Sequence, residues 1–246
     1  MHRLKVKLSY DGSCYNGFQM QKNENSRIQT VAGTLSKALL NLNIDTTVVG
    51  SGRTDTNVHA LRQVVHFDIP SFWSERLPVL QASLNDYVMP SIYIHSMELV
   101  REDFHARYDA KKRLYRYIMY DAPYVPYLAN YALHVNALDV SKLNSYAKLF
   151  EGKHHFGLFK KRDGGPTKDE RTIFKAGAYR YHNYIVLYFF GDAFLRSQIR
   201  LMGGFLYQMM QEKLSEEDLI NQLDHNILIS SKPLPACGLY LSRIYY

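Results

Sequence analysis

The chain has 246 residues, 46% of them hydrophobic, and its 30 Lys and Arg against 23 Asp and Glu give a net charge of +7. That apolar content excludes a disordered chain, and two cysteines, Cys14 and Cys237, cannot staple a disulfide scaffold. The longest apolar stretch, Tyr184 to Phe190, is far short of the roughly 18 residues of a membrane span, and the N-terminus has no signal-peptide core, so a cytoplasmic chain is expected.

In chain order, Leu4, Val6, Leu8 and Tyr10 alternate with polar residues and predict a strand. Asp11-Gly12-Ser13 reads as a turn. Ile28, Val31, Leu35, Leu39 and Leu42 recur at helical spacing and predict a helix over roughly residues 27–42. Thr46 to Val49 reads as a short strand, broken by Gly50-Ser51-Gly52, with a loop running to His59. Val64, Val65 and Phe67 open a strand that Pro70 closes. Trp73, Leu77, Leu80 and Leu84 predict one helix, and Tyr93 to Leu99 a strand, so this half reads β-α-β-β-α-β. Further on, Arg113 to Tyr120 is a strand, and a stretch with Pro123 and Pro126 follows. Val140, Leu143, Ala147 and Phe150 mark a helix. Glu170 to Tyr181 and Tyr184 to Phe190 form a hairpin turning at His182-Asn183. Phe194 to Met210 reads as a long helix, Ser215-Glu216-Glu217-Asp218 as a helix start, and Leu239 to Tyr245 as a closing strand. The second half thus repeats the order of the first, which suggests an internal duplication.

The charge is unevenly spread. Residues 1–105 hold ten Lys and Arg and ten Asp and Glu, so the whole excess lies in residues 106–246. One cluster is Arg107, Lys111, Lys112, Arg113 and Arg116; the other is Lys160, Lys161, Arg162, Lys168 and Arg171. A charge run is usually a solvated face. Here Tyr108, Tyr115, Tyr117, Tyr120, Phe156 and Phe159 are interleaved with the cations. Aromatic faces stack unpaired bases while cations hold the backbone, so nucleic acid is the preferred partner.

The segment with most chemistry is Gly52-Arg53-Thr54-Asp55-Thr56-Asn57-Val58-His59, a strand-end loop with a cation, a carboxylate, hydroxyls and an imidazole. A carboxylate beside Arg can stay ionised and serve as nucleophile or base. By spacing alone the plainer reading is preferred, an Asx-turn at Asp55 and a surface ion pair for Arg53. His154-His155 has no matching His, Cys or carboxylate spacing for a metal set, and His59 and His66 read as satisfied core or loop histidines before they read as ligands. Gly203-Gly204 lacks the Lys-Ser/Thr of a phosphate loop, and no dinucleotide fingerprint is present.

At this loop the sequence resembles the TruA-type tRNA pseudouridine synthases, which carry Gly-Arg-Thr-Asp-Ala-Gly-Val-His followed by a Gln-Val-Val-His-Phe strand. The second element reads Gln63-Val64-Val65-His66-Phe67 here. The opening Tyr10-Asp11-Gly12-Ser13 with Tyr15, Gly17, Phe18 and Gln19 is similar to the family's opening. So are Asp103-Phe104-His105-Ala106-Arg107 with Tyr115-Arg116-Tyr117, Phe194-Leu195-Arg196 with Ile199, Arg200 and Gly203, and the block Pro235 to Leu241. The resemblance spans nearly the whole chain. Thr56-Asn57 stands for the usual Ala-Gly, Ser197-Gln198 for a common His-Met, and His155 where many members have Asp.

The resemblance implies isomerisation of uridine to pseudouridine at tRNA positions 38, 39 and 40, with the base flipped from its stack and no cofactor or metal. It assigns Asp55 as the essential carboxylate, nucleophile or base at the sugar, and Arg196 as its ion-pair partner. Arg53 would help extrude the base, and Tyr115 would stack on the uracil. Lys111, Lys112, Arg113, Lys160, Lys161 and Arg162 are the candidate RNA-binding cations. The implied fold is α+β, the pseudouridine synthase fold. It has two similar αβ halves of RRM or ferredoxin-like type, a mainly antiparallel central sheet and a cleft between the halves. Residues 1–105 would carry the Asp loop and residues 106–246 the basic RNA-binding half. The family works as a homodimer on the tRNA anticodon stem-loop. Two other classes fit less well: an inactive RNA-binding or chaperone protein on the same fold, and a metal-dependent nuclease using Asp55 and His59.

Overall fold

The computed structural model describes residues 1–20, 29–161 and 168–246. They group into two compact units, Met1–Lys111 with Leu241–Tyr246, and Lys112–Tyr240. The architecture is α+β. The sequence division at 105/106 lies a few residues before the unit boundary, and the last six residues return to the first unit.

In the first unit, β1 (His2–Tyr10) is paired antiparallel with both β3 (His59–Ile69) and β4 (Ile92–Val100). Its buried Leu4, Val6, Leu8 and Tyr10 form the alternating face that the sequence shows. β2 (Val49–Gly50) lies antiparallel on β3. It is shorter than expected, and residues before Val49 are not strand, because the Asp68 N–H is taken by Thr46 Oγ1 at 3.1 Å rather than by a backbone carbonyl. Helix α1 (Val31–Asn41) starts later than the periodicity predicts. Thr30 is extended and caps it, accepting from Gly33 N. Ile28 and Arg27 lie outside the described residues. The first two amides of α1 donate to the carbonyls of Gly17 (3.2 Å) and Phe18 (2.9 Å). The single helix expected from Trp73 to Leu84 is two, α2 (Ser71–Ser74) and α3 (Leu77–Val88). Pro78, in the first turn of α3, lacks an N–H and would clash with the carbonyl four residues back in a continuous helix.

The second unit repeats this β-α-β-β connection. β5 (Lys112–Tyr120) pairs with β9 (Tyr184–Gly191), and β9 with β8 (Glu170–Tyr181), as β1 pairs with β3 and β3 with β2. β7 (Gly152–His155) continues the sheet antiparallel on β8, and β6 (Leu133–His134) lies parallel to β5. The β8–β9 hairpin turns at His182, whose φ is 50°. α4 (Val140–Lys148) is capped by Asp139, and α6 (Glu216–Leu223) by the expected Ser215–Asp218 capping box. α5 spans Gln198–Met210, four residues shorter than predicted, because Ser197 has a left-handed backbone (φ 59°) that no helix continues through. β10 (Leu239–Tyr245) closes the chain. Among the described residues no helix is long and apolar enough to cross a membrane.

The aromatics interleaved with cations split sharply on folding. Tyr117, Tyr120, Phe156 and Phe159 are buried, and Tyr115 nearly so. Alternation along β5 turns its tyrosines inward, and Phe156 and Phe159 pack with Phe150 and Phe205. Tyr108 alone of the six is exposed, at 76%.

The chain end is bound into the first unit. Tyr246 donates its hydroxyl to Ala106 O at 2.8 Å and packs its ring on Phe104, while Lys111 N donates to Tyr245 O. Across the same region Arg3 holds Asp68 through two 2.8 Å bonds and keeps that carboxyl below the usual range. Beside them, His66 Nδ1 accepts the Ala106 N–H at 3.1 Å. Burial first, then the positive charge of Arg3, pushes His66 down to about 4. The unfolded chain binds this proton near pH 6.5 and the folded chain only near 4, so stability present above 6.5 is lost as the pH falls through that window. By linkage, acidifying from pH 7 to 5 should cost about 2 kcal/mol from this group alone. Denaturant unfolding of wild type and His66→Gln across that range checks it. Equal acid slopes would show that His66 does not carry the proton linkage.

Candidate active site

The Asp55 loop, Ser51–Val58, joins β2 to β3. It is clamped from three sides. Beneath it, the buried Gln63 amide on β3 donates to Gly52 O (3.0 Å) and to the Tyr10 hydroxyl (3.5 Å), while its carbonyl accepts from Ser51 Oγ (2.7 Å). The Tyr10 hydroxyl, at the end of β1, shares a 2.8 Å hydrogen bond with buried Thr54 Oγ1. Gly52 and Thr54, on either side of Arg53, are therefore tied to β3 and β1 respectively.

The second clamp is backbone on backbone. Phe18 N donates to Thr54 O at 3.1 Å, and Asn57 N to Tyr15 O at 3.4 Å. Segment 11–18 can approach this closely because Gly12 and Gly17 lack side chains. A Cβ on Gly12 would overlap the Val58 carbonyl, and one on Gly17, whose φ is 95°, would meet Thr54 O at 2.9 Å. The third clamp is His59 at the start of β3, whose Nδ1 accepts the Gly12 N–H at 3.0 Å. Within the loop, Val58 N donates to Asp55 O, and the turn passes through Asn57 at φ 64°. Asn suits that left-handed backbone, so the turn that Gly makes elsewhere forms here without it. Asp55 is partly exposed at the head of the turn and Arg53 is exposed.

The remaining candidates on the second unit are set out by β5 and the turn before α5. Tyr115, 8% exposed, lies on β5 opposite Phe189, with Phe194 edge-on to its ring at 5.3 Å. Arg196 is exposed and precedes α5 rather than riding on it. Its turn is fixed by Gln198, fully buried. Gln198 Oε1 accepts from Leu195 N (2.8 Å), and its backbone N donates to Leu195 O (3.1 Å). Lys161 N donates to Arg196 O at 3.0 Å, tying the second basic cluster to the same turn.

The basic residues divide by what they touch. Arg113 is 8% exposed and donates Nη1 to Asp192 O at 2.7 Å. Lys160 is half-buried against both Asp169 oxygens at 2.7 Å. Lys112 is exposed above the Phe174 and Phe190 rings, and Lys111, in the first unit, and Lys161 are exposed. Arg162 lies outside the described residues. Among the described residues no three His, Cys, Asp or Glu side chains converge as a metal set.

A family model described as tRNA pseudouridine synthase matches residues 146–246. "tRNA pseudouridine synthase A" of Helicobacter pylori (strain HPAG1) is 38% identical over 253 residues, covering all of both chains. The protein of that name from Campylobacter jejuni subsp. jejuni serotype O:2 is 35% identical over 246 residues, again covering all of both. The chain belongs to the TruA-type tRNA pseudouridine synthase family. The synthase is thereby an isomerase, with the α+β fold of that family. The solved "Crystal Structure of a Cbf5-Nop10-Gar1 Complex" is similar at 12% identity and a TM-score of 0.34, over 80% of this chain and 43% of that chain, which is too slight to carry an argument.

Sequence reasoning missed the supports of the synthase's loop. Tyr10, Gly12, Gly17 and Gln63 stand in the motifs, yet nothing in their spacing says that they meet residues 52–58. A buried Gln inside an apolar strand is the one available signal, since such an amide must find partners. Gln198 gives the same signal at the start of α5.

Proposed function

We propose that this synthase isomerises the uridines at positions 38, 39 and 40 of the tRNA anticodon stem-loop, with Asp55 as the essential carboxylate. The N–C glycosidic bond breaks, the uracil turns and a ring carbon bonds to the sugar; that carbon then gives up its proton and the freed nitrogen ends as N–H, so nothing is oxidised and no group is imported. Asp55 acts at the sugar as nucleophile or as base. Arg196 is its charge partner, Arg53 takes part in extruding the base, and Tyr115 stacks on the uracil. The observation that carries the reading is the Asp55 loop itself. It is held by Tyr10, Gln63, Gly12 and the 15–18 backbone so that the carboxylate stands at the head of a fixed turn. Preorganisation of this kind is what a displacement at carbon requires. The enzyme works in the cytoplasm, as a homodimer.

The test is an incubation with tRNA labelled in its uridines, with and without chelator, followed by analysis of base identity and chain length. Pseudouridine at positions 38–40 in full-length tRNA, indifferent to chelator, is the expected product. Unchanged tRNA that nonetheless binds would point to a binding protein, and shortened, chelator-sensitive RNA to a nuclease.

The grip on phosphates is the work of Lys111, Lys112 and Lys161, while Lys160 and Arg113 serve their own unit. Affinity for tRNA should fall steeply with salt, and Lys111→Ala or Lys161→Ala should each lower the log–log slope by about 0.7 to 0.9. Lys160→Ala should change it little, because Asp169 already holds that ammonium. Titrations at several salt concentrations measure all three. A slope that drops for Lys160→Ala and not for Lys161→Ala would reverse the assignment.

A further inference from the structure

A singly exposed aromatic ring needs no explanation, but the support under Tyr108 does. The His105 imidazole stacks on the Tyr108 ring, centroids 4.2 Å apart and planes at 29°. His105 in turn meets His66 edge to face at 4.8 Å. His105 Nδ1 accepts two amides, those of Arg107 (3.2 Å) and Tyr108 (3.3 Å), which fixes ring and backbone together. Asp109 closes the turn from the other side. Its N–H donates to His105 O at 3.0 Å, and its Oδ2 accepts from His105 N (3.1 Å) and from Arg101 Nη2 (3.0 Å). Underneath, Phe104 and Ala106 are buried. Ala106 gives its amide to His66 and its carbonyl to Tyr246, and Phe104 O accepts from Arg3 Nη1 at 3.1 Å. Arg107 places its guanidinium 5.9 Å from the Tyr108 ring centroid.

The turn is thus anchored inward at Phe104 and Ala106 and presents one aromatic ring and one guanidinium outward. A ring already immobilised loses little entropy when something lies on it. A flat face flanked by a cation is the chemistry that takes an unpaired base and its phosphate.

We propose that the 104–109 turn is a base-stacking platform, on which Tyr108 takes the face of an unpaired base of the RNA substrate other than the reacting uridine, and Arg107 its phosphate. The inference rests on tRNA being the substrate. It goes beyond that reading in naming a subsite that does no chemistry.

The test measures equilibrium binding of an unmodified tRNA transcript to the full chain at fixed salt, with the unfolding midpoint of each variant alongside. Tyr108→Ala should weaken binding about 5- to 100-fold, and Tyr108→Phe should stay within about twofold of wild type because the ring is kept. In steady state the alanine variant should lose mainly in KM. Trp73 is the chain's one tryptophan, so a Tyr108→Trp, Trp73→Phe double variant carries a single indole in the platform, and its emission should be quenched on saturation with tRNA. Wild-type affinity in Tyr108→Ala, or an indole that binds tRNA without any change in emission, overturns the platform while leaving the synthase reading intact. A wild-type chain that binds no tRNA overturns both. Should the alanine variant fail to fold, the phenylalanine variant and the indole signal decide the matter.

Discussion

Asp55→Asn should leave a folded protein that binds tRNA within about threefold of wild type and forms pseudouridine at least about a thousandfold more slowly. Losing a group that acts directly on the reacting atoms characteristically costs that much or more. The substitution is nearly isosteric and leaves the loop's fastenings in place. Those run through Tyr10 to Thr54, Gln63 to Gly52, Phe18 N to Thr54 O and Val58 N to Asp55 O. The amide cannot serve as nucleophile or as base at a sugar carbon, so the loss belongs to chemistry and not to folding. Single-turnover product formation at saturating enzyme separates the chemical step from binding, and anisotropy with the same tRNA gives the affinity. A variant rate within about tenfold of wild type would remove Asp55 from the mechanism.

Gly12→Ala should be the most damaging single methyl group that can be added near the loop. The new Cβ would overlap the carbonyl carbon and oxygen of Val58 and approach His59 N to 2.9 Å. These are backbone atoms, so no side chain can rotate away, and either segment 11–18 or the loop must move. Overpacking of this kind costs roughly 1–3 kcal/mol in stability. The larger effect is expected in turnover, since displacing a reactive group by about 1 Å can cost about a hundredfold. The displaced carbonyl is that of Val58, three residues after Asp55, and its own amide closes the Asp55 turn. The unfolding midpoint and kcat/KM of Gly12→Ala should be compared with those of Ser13→Ala, which adds no atom beside Val58. Wild-type turnover in Gly12→Ala would show that the two backbones need not touch for the loop to work.

What the sequence made legible, and what it did not, follows from the range of the interactions. The alternation along β1 and the Ser215 cap are set by neighbours a few residues apart, and both form as expected. Ser197 and Pro78 break helices that apolar spacing alone would run together, since periodicity records buried faces and not backbone angles. The Tyr10–Thr54 and Gly12–His59 bonds join residues 44 and 47 positions apart, which no local pattern encodes. Charge misled in a different way. Arg113 and Lys161 look alike in the sequence, yet one is spent on the Asp192 carbonyl and the other faces water. The aromatic residues misled likewise, because a tyrosine on an alternating strand is a core residue before it is anything else. The Asp55 loop was legible through its resemblance to known synthases. Its clamps were visible only as letters of a motif, without their purpose.

The return of residues 241–246 to the first unit bears on how the chain is made. A ribosome that has finished residue 111 reaches residue 241 only some 130 residues later, a wait on the order of ten seconds at ordinary rates of synthesis. Through that interval the partner of the Ala106 carbonyl, the ring that covers Phe104 and the acceptor for the Lys111 amide do not yet exist. The unit that bears the carboxylate is begun first and completed last. A polypeptide cut short before residue 245 therefore lacks these contacts of its Asp55-bearing unit, however much of the second unit it contains.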